Sequence, residues 1–277
     1  MSIVMRVVWI YFLLRKKLGL AKIGQPPRPP ARPSAKQLSG LSQSIEVVDG
    51  FSLYRISPDS PSQTVVYLHG GGYVQPIAKQ HWDLITFLSR KTNSEFVVPC
   101  YGLSPEFNVD DALSFLQKVQ SKIDFQNKVI LMGDSAGGGL SLALAQTSWN
   151  QISTLILISP WVSSEFGYQS VPYERRDPWL NANSLRYIAT IWSGQADYRR
   201  KEVSPILGRM SGLPPTVIFA GDYELFYPDL ILLADRMMES GVKVTLIKQR
   251  GALHVYPLIP SKEGKRARDQ LVEHLAR

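Results

Sequence analysis

Lys128-Val-Ile-Leu-Met-Gly-Asp-Ser135-Ala-Gly-Gly-Gly139 joins a short apolar run to a cluster of glycines. Residues 128–132 read as a buried strand, and the run from Leu140 continues as a helix. Between them Gly133-Asp134-Ser135-Ala136-Gly137 has the pattern G-x-S-x-G. A serine on so sharp a strand-to-helix turn needs small neighbours, because the strained backbone brings the flanking residues together. The helix N-terminus favours negative charge beside Ser135. A phosphate loop would end in Lys-Ser/Thr, and no G-x-G-x-x-G is present. Ser135 is therefore the candidate nucleophile.

Working outward, the same alternation recurs on both sides. Upstream, 44–48 and 51–56 flank Asp49-Gly50, a turn pair between two alternating runs, and predict an antiparallel hairpin. Strands are expected at 65–68, 96–100, 155–159, 216–220 and 242–247. Helices are expected at 81–90, 109–123 (behind Asn108 as cap), 229–238 and 263–276. This order predicts an α/β fold, a mostly parallel sheet covered on both faces with a hairpin at its entry. Residues 163–200, rich in Tyr, Trp, Arg and Pro, interrupt the alternation and read as an insertion over the substrate pocket, a lid.

A second glycine motif, His69-Gly70-Gly71-Gly72, follows the strand at 65–68 directly. Backbone N–H groups of such a loop can approach a developing oxyanion closely. Gly71 and Gly72, with the N–H of Ala136, are the candidate oxyanion hole. In this architecture the general base follows the serine and an acid lies between them. Of His69, His81, His254 and His274, His254 sits in a loop after a strand and is the candidate base. His69 is expected to hold its loop in place, and His274 to lie on a solvated helix face. Asp134 and Glu106 are expected to be structural hydrogen-bonders. Asp222 and Glu224 both follow the strand at 216–220, and either could orient the imidazole.

HGGG at 69–72, GDSAGGG at 133–139 and the late His254 together resemble the hormone-sensitive-lipase-like branch of the α/β-hydrolases. Tyr101-Gly102-Leu103-Ser104-Pro105-Glu106 is similar to that family's Y-R-L-A-P-E element, with Gly102 in place of the arginine. Ser204-Pro205, Gly212-Leu213-Pro214-Pro215 and the stretch to Pro260 look like its microbial acetyl-hydrolase and steryl-acetyl-hydrolase members. The resemblance runs from about Val65 to the C-terminus. It implies the α/β-hydrolase fold and a carboxylic-ester hydrolase with a Ser-Glu/Asp-His triad, acting on short acyl (acetyl-like) esters of an apolar alcohol. The G-x-x-E spacing of the acetyl-hydrolase members puts Glu224 on the acid position, with Asp222 as the alternative; an alignment through Asp229 needs an extra residue. Other readings on the same residues are an amidase or peptidase, or a ligand-binding relative without chemistry. No metal or organic cofactor is expected.

Composition narrows the partners. Of the 31 basic residues, eight precede Glu46, a stretch with no acidic residue; the rest of the chain is balanced against its 23 acidic residues. The basicity belongs to a tail, so a nucleic-acid-binding face is not indicated. One cysteine, Cys100, excludes an internal disulfide framework and fits a cytosol-facing protein; ending an apolar run, it is no candidate nucleophile. Residues 1–43 form an apolar and basic segment ahead of a 44–277 catalytic domain. Its run 7–14 (VVWIYFLL) is too short to span a bilayer, and its basic cluster follows rather than precedes the run, unlike a signal peptide. Two readings stand: peripheral membrane contact through residues 1–22, or a helix packed over the active site. The prolines of 25–33 read as a stiff, extended linker. A homodimer is left open.

Overall fold

The computed structural model describes residues 1–17, 29–147, 149 and 151–276. Among the described residues eight strands form one sheet: β1 (Ser42–Val48), β2 (Phe51–Ser57), β3 (Gln63–Leu68), β4 (Ser94–Pro99), β5 (Val129–Asp134), β6 (Thr154–Ile158), β7 (Thr216–Gly221) and β8 (Val244–Gln249). Their order is β1-β2-β4-β3-β5-β6-β7-β8. The hairpin β1–β2 and the β2–β4 pair are antiparallel, and every other pair is parallel. The expected hairpin, parallel sheet and flanking helices are all present.

Why the central strands are apolar throughout follows from their two covered faces. Along β3, Val65 and Tyr67 belong to one buried cluster while Val66 and Leu68 belong to the other. Successive side chains point to opposite faces, so both sets must be hydrophobic. One face is covered by α2 (Lys79–Thr92) and α8 (Lys262–Leu275); the other by α3 (Val109–Gln120), α4 (Ser135–Ala145) and α7 (Tyr227–Glu239). The N-terminal helix α1 (Ile3–Lys17) joins the first of these layers through the buried Met5. As read from sequence, Asn108 caps α3: its Oδ1 accepts from the N–H groups of Asp110 (2.8 Å) and Asp111 (3.3 Å), a contact of about 1 kcal/mol. The helix ends at Gln120, three residues short of the expected boundary.

Two short helices, α5 (Val171–Arg176) and α6 (Ala182–Trp192), occupy the 163–200 insertion. The proline-rich stretch differs from the expected tether where it is described; residues 25–28 lie outside the described residues. Ala31 is fixed on α2 and the loop before it: its N–H donates to the Ile77 carbonyl (3.0 Å), and its own carbonyl accepts from the Trp82 indole (2.8 Å). The buried Gln37 amide then donates to Asp83 (2.7 Å). A segment with such bonds is part of the body, because a free linker would leave those polar groups to water.

Candidate active site

At the carboxyl edge of the central strands, β5 ends in Asp134 and α4 begins at Ser135 without an intervening loop. Ser135 takes up this corner with φ +51°, left-handed backbone that a side-chain-bearing residue adopts only under constraint. The turn closes because Gly137 has no side chain: a Cβ there would run into the Leu68 and His69 carbonyls of the strand beside it. Oγ of Ser135 lies 2.8 Å from Nε2 of His254, and Nδ1 of His254 lies 2.7 Å from Oε2 of Glu224. Three residues separated by up to 119 positions thus form one continuous hydrogen-bonded row.

Glu224 is wholly buried, and its second oxygen is as firmly held as the first. Oε1 accepts from the Gly221 N–H (2.8 Å) and from the Ser159 hydroxyl (3.0 Å). Burial pushes its carboxyl above the usual carboxylate range, opposed by the hydrogen bonds from His254, Gly221 and Ser159. Ser159 also accepts from the Val255 N–H (3.1 Å), tying the end of β6 to both the acid and the histidine loop. Asp222 goes elsewhere: Oδ1 accepts from the Gly251 N–H at 2.5 Å. Of the two carboxylates, the structure brings only Glu224 to the imidazole.

The glycine loop 70–72 packs beside this row. Gly71 has φ +129°, and a Cβ there would strike the Gln75 carbonyl, which explains why this position is side-chain-free. Asp134 anchors the loop from below. Its Oδ1 accepts from the Gly70 N–H (2.9 Å) and the Tyr67 hydroxyl (2.7 Å), and Oδ2 faces Nε2 of His81 at 3.3 Å. Because Nδ1 of His81 accepts from the Ala78 N–H (2.9 Å), its proton sits on Nε2 and points at Asp134. Burial alone would raise the Asp134 pKa, but His81 and these donors outweigh it and hold the group below its usual value. His69 bonds the Gly70 carbonyl through Nδ1 (2.7 Å) and stacks on Tyr101. Burial lowers its pKa to about 4, so it stays neutral at ordinary pH. Asp134 and His69 thus sit where structural roles were expected. Glu106 does not: it is exposed at the surface. His274 is half-buried on α8 rather than fully solvated, and burial pushes the Cys100 thiol up to about 12, leaving it unreactive.

Several contacts were not legible from the sequence. His254 is clasped edge-on by Phe226 (5.1 Å) and Trp179 (5.7 Å). Trp179 is stacked in turn on Phe12 of α1 (4.5 Å). The Lys16 ammonium fastens the same place, donating to the carbonyls of Asp177 (3.0 Å) and Leu180 (2.9 Å). Buried Asp177 accepts from the N–H groups of Trp179 and Leu180 through Oδ1, and from Leu225, next to Glu224, through Oδ2, all at 2.8 Å. The insertion, α1 and the loop carrying Glu224 are one bonded unit, joined by side chains too far apart in sequence for any local pattern to pair them.

A family model described as the alpha/beta hydrolase fold matches residues 65–258. The chain belongs to this family. Among relatives of this α/β-hydrolase, a triacylglycerol lipase of Mycobacterium tuberculosis is 27% identical over 82% of the chain and 50% of that protein. An acetyl-hydrolase of Streptomyces hygroscopicus is 29% identical over 74% of the chain and 72% of that protein. The chain thus spans about half the length of the first of these relatives. In fold the α/β-hydrolase is similar to an esterase from the bacterial hormone-sensitive lipase family, with TM-score 0.82 and 23% identity over 100% of this chain and 98% of that one.

Asp229, which the sequence set aside, lies in the first turn of α7 with Oδ2 buried and unbonded among the described residues. Burial pushes its carboxyl up to about 7. The folded state therefore keeps a proton that the unfolded chain releases near pH 4. Its effect on stability is nil below the unfolded value and becomes a growing penalty as pH rises from there to about 7. Asp229→Asn is expected to melt at a higher temperature than the parent at pH 8, and the two melting curves should converge toward pH 4. Thermal melts across that range check this.

Proposed function

We propose that this chain is a serine carboxylic-ester hydrolase acting on short-chain, acetyl-like esters of an apolar alcohol. The observation that carries the reading is the unbroken row from Glu224 through His254 to Ser135 beside the 70–72 glycine loop. His254 takes the Ser135 proton as Oγ attacks the ester carbonyl, and Glu224 stabilises the imidazolium that forms. The N–H groups of Gly71, Gly72 and Ala136 receive the oxyanion. His254 then gives its proton to the leaving alcohol. Water, deprotonated by the same imidazole, releases the acyl group and frees Ser135.

A small acyl group is supported by what surrounds the serine. Tyr73 bonds the Ala136 carbonyl (2.8 Å), stacks flat on Trp192 of α6 (4.2 Å) and packs against Trp161. Phe226 and Phe166 extend this wall of rings. Bulky, mutually stacked rings buried beside the serine turn leave little room for a long acyl chain. The names of the lipase and acetyl-hydrolase relatives are in keeping with ester substrates. Residues 163–200 act in this reading as the lid over the pocket.

Hydrolysis rates over p-nitrophenyl esters of increasing acyl length test the proposal. The expected result is a maximum in kcat/KM at acetate or butyrate and a fall of at least about tenfold by decanoate. A rising series would overturn the short-acyl assignment. Absence of any ester turnover, with no covalent labelling by a fluorophosphonate, would overturn the enzyme itself.

A further inference from the structure

Helix α1 is apolar on two opposite faces, and the body covers only one. Met5, Trp9, Phe12 and Lys16 recur every three or four residues and point inward, to the core, to the Arg176 carbonyl, to Trp179 and to the 177–180 turn. Ser2 ties the start of the helix to Glu263 through both its N–H and its hydroxyl. Ile3, Val7, Ile10 and Leu14 recur with the same period on the other side, joined by Val4 and Tyr11. These outer side chains are exposed: Ile3 by 85%, Val7 by 60% and Leu14 by 53%. A water-soluble surface rarely leaves six large apolar side chains contiguous on one helix.

We infer that this outer face of α1 docks on an anionic lipid surface. Its borders carry the complementary charge. At 3.6 residues per turn, exposed Arg6 falls on one edge of the apolar stripe and Arg15 on the other. Arg15 reaches back over the Tyr11 ring and bonds its hydroxyl (3.3 Å). Exposed Arg175 and Arg176 close α5, whose end is bonded to Trp9. No acidic residue occurs before Glu46, and among the described residues no ion pair joins Arg6, Arg15, Arg175 or Arg176 to a carboxylate. An apolar stripe flanked by arginines is the pattern of a helix lying in the headgroup plane. A second copy of the chain fits less well, because a symmetric pairing of the two stripes would set arginine borders against each other.

Docking has a consequence for the proposed esterase, and in that part it rests on the ester-hydrolase reading. The inner face of the same helix, through Phe12 and Trp179, reaches the ring of His254. The docked face and the catalytic row are therefore separated by one helix and one indole, and an ester dissolved in the lipid would meet the protein on the side where its site lies.

The test is co-sedimentation of the full chain with phosphatidylcholine vesicles, with and without phosphatidylglycerol. The parent is expected to bind the anionic vesicles, more weakly so in high salt, and the neutral ones less. The triple variant Val7→Ser, Ile10→Ser, Leu14→Ser should lose at least about tenfold in apparent affinity, and the pair Arg6→Gln, Arg15→Gln should lose the preference for phosphatidylglycerol. Both should keep the parent's melting temperature and its rate on a water-soluble ester to within about twofold. Equal sedimentation of parent and triple variant, or no binding by the parent, overturns the inference. A parent that is dimeric by light scattering, becomes monomeric in the triple variant and ignores vesicles would assign the face to self-association instead. Vesicle binding without ester turnover would sink the hydrolase reading and leave the docking surface standing.

Discussion

Ser135→Ala is expected to lower kcat by about ten-thousandfold to a millionfold while leaving the fold in place. The size follows from what is removed. Without Oγ no acyl-enzyme forms, and the only catalysis left is a water molecule held near the oxyanion donors. The backbone at 135 is left-handed at φ +51°, and alanine meets the same strain there as serine. The melting temperature should therefore change little, separating lost chemistry from lost structure. His254→Ala should cost about as much, and the double variant no more than either alone, because residues that act as one unit are not additive. Labelling by a fluorophosphonate should vanish in Ser135→Ala. A variant that keeps a tenth of the parent's kcat would remove Ser135 from the nucleophile position.

Glu224→Gln should lower kcat by about a thousandfold to ten-thousandfold, whereas Asp222→Asn should stay within a few-fold of the parent. The carboxylate does two things that an amide cannot do together. Oε2 accepts from Nδ1 of His254 (2.7 Å), and Oε1 accepts at once from Gly221 and Ser159. A glutamine keeps one acceptor oxygen, so either the imidazole or the pair Gly221–Ser159 faces an amide N–H instead. The negative charge that offsets the imidazolium is lost as well. Asp222 makes its contact with the Gly251 backbone and has no such link to His254. Near-parental kcat in Glu224→Gln would overturn this assignment, and a collapse in Asp222→Asn with an intact melting curve would transfer the role to Asp222.

How much of this was legible beforehand depended on the range of the interaction. The 133–137 turn, the 69–72 loop and the cap at Asn108 are local, and each could be read from residue types a few positions apart. The parallel sheet could be read as well, since strands covered on both faces must be apolar at every position. Glu224 over Asp222 was reached through the family's G-x-x-E spacing. The structure gives a physical content to that spacing: a bond from the Gly221 N–H to Oε1 fits an acid three residues on (2.8 Å). The run of prolines does not record that residues 29–41 are bonded to α2 and the loop before it, Ala31 to Ile77 and Trp82 and Gln37 to Asp83.

The N-terminal helix shows where sequence reading ran out. Its two readings, a membrane-contacting segment and a helix over the site, looked exclusive because an apolar run does not say which of its faces is covered. In three dimensions they concern different faces: Phe12 and Lys16 turn inward to the 177–180 loop, while Val7, Ile10 and Leu14 turn out. By itself, then, the sequence determined the fold class, the serine turn, the glycine loop and the histidine that follows them, because backbone sterics and period-two burial act over a few residues. Only the tertiary structure decided which carboxylate meets His254, that Ser159 and Asp177 hold the acid loop from two sides, and which face of α1 remains open. Those depend on groups as far apart as Lys16 and Leu180, 164 positions, being brought within hydrogen-bonding distance, and no local pattern records that.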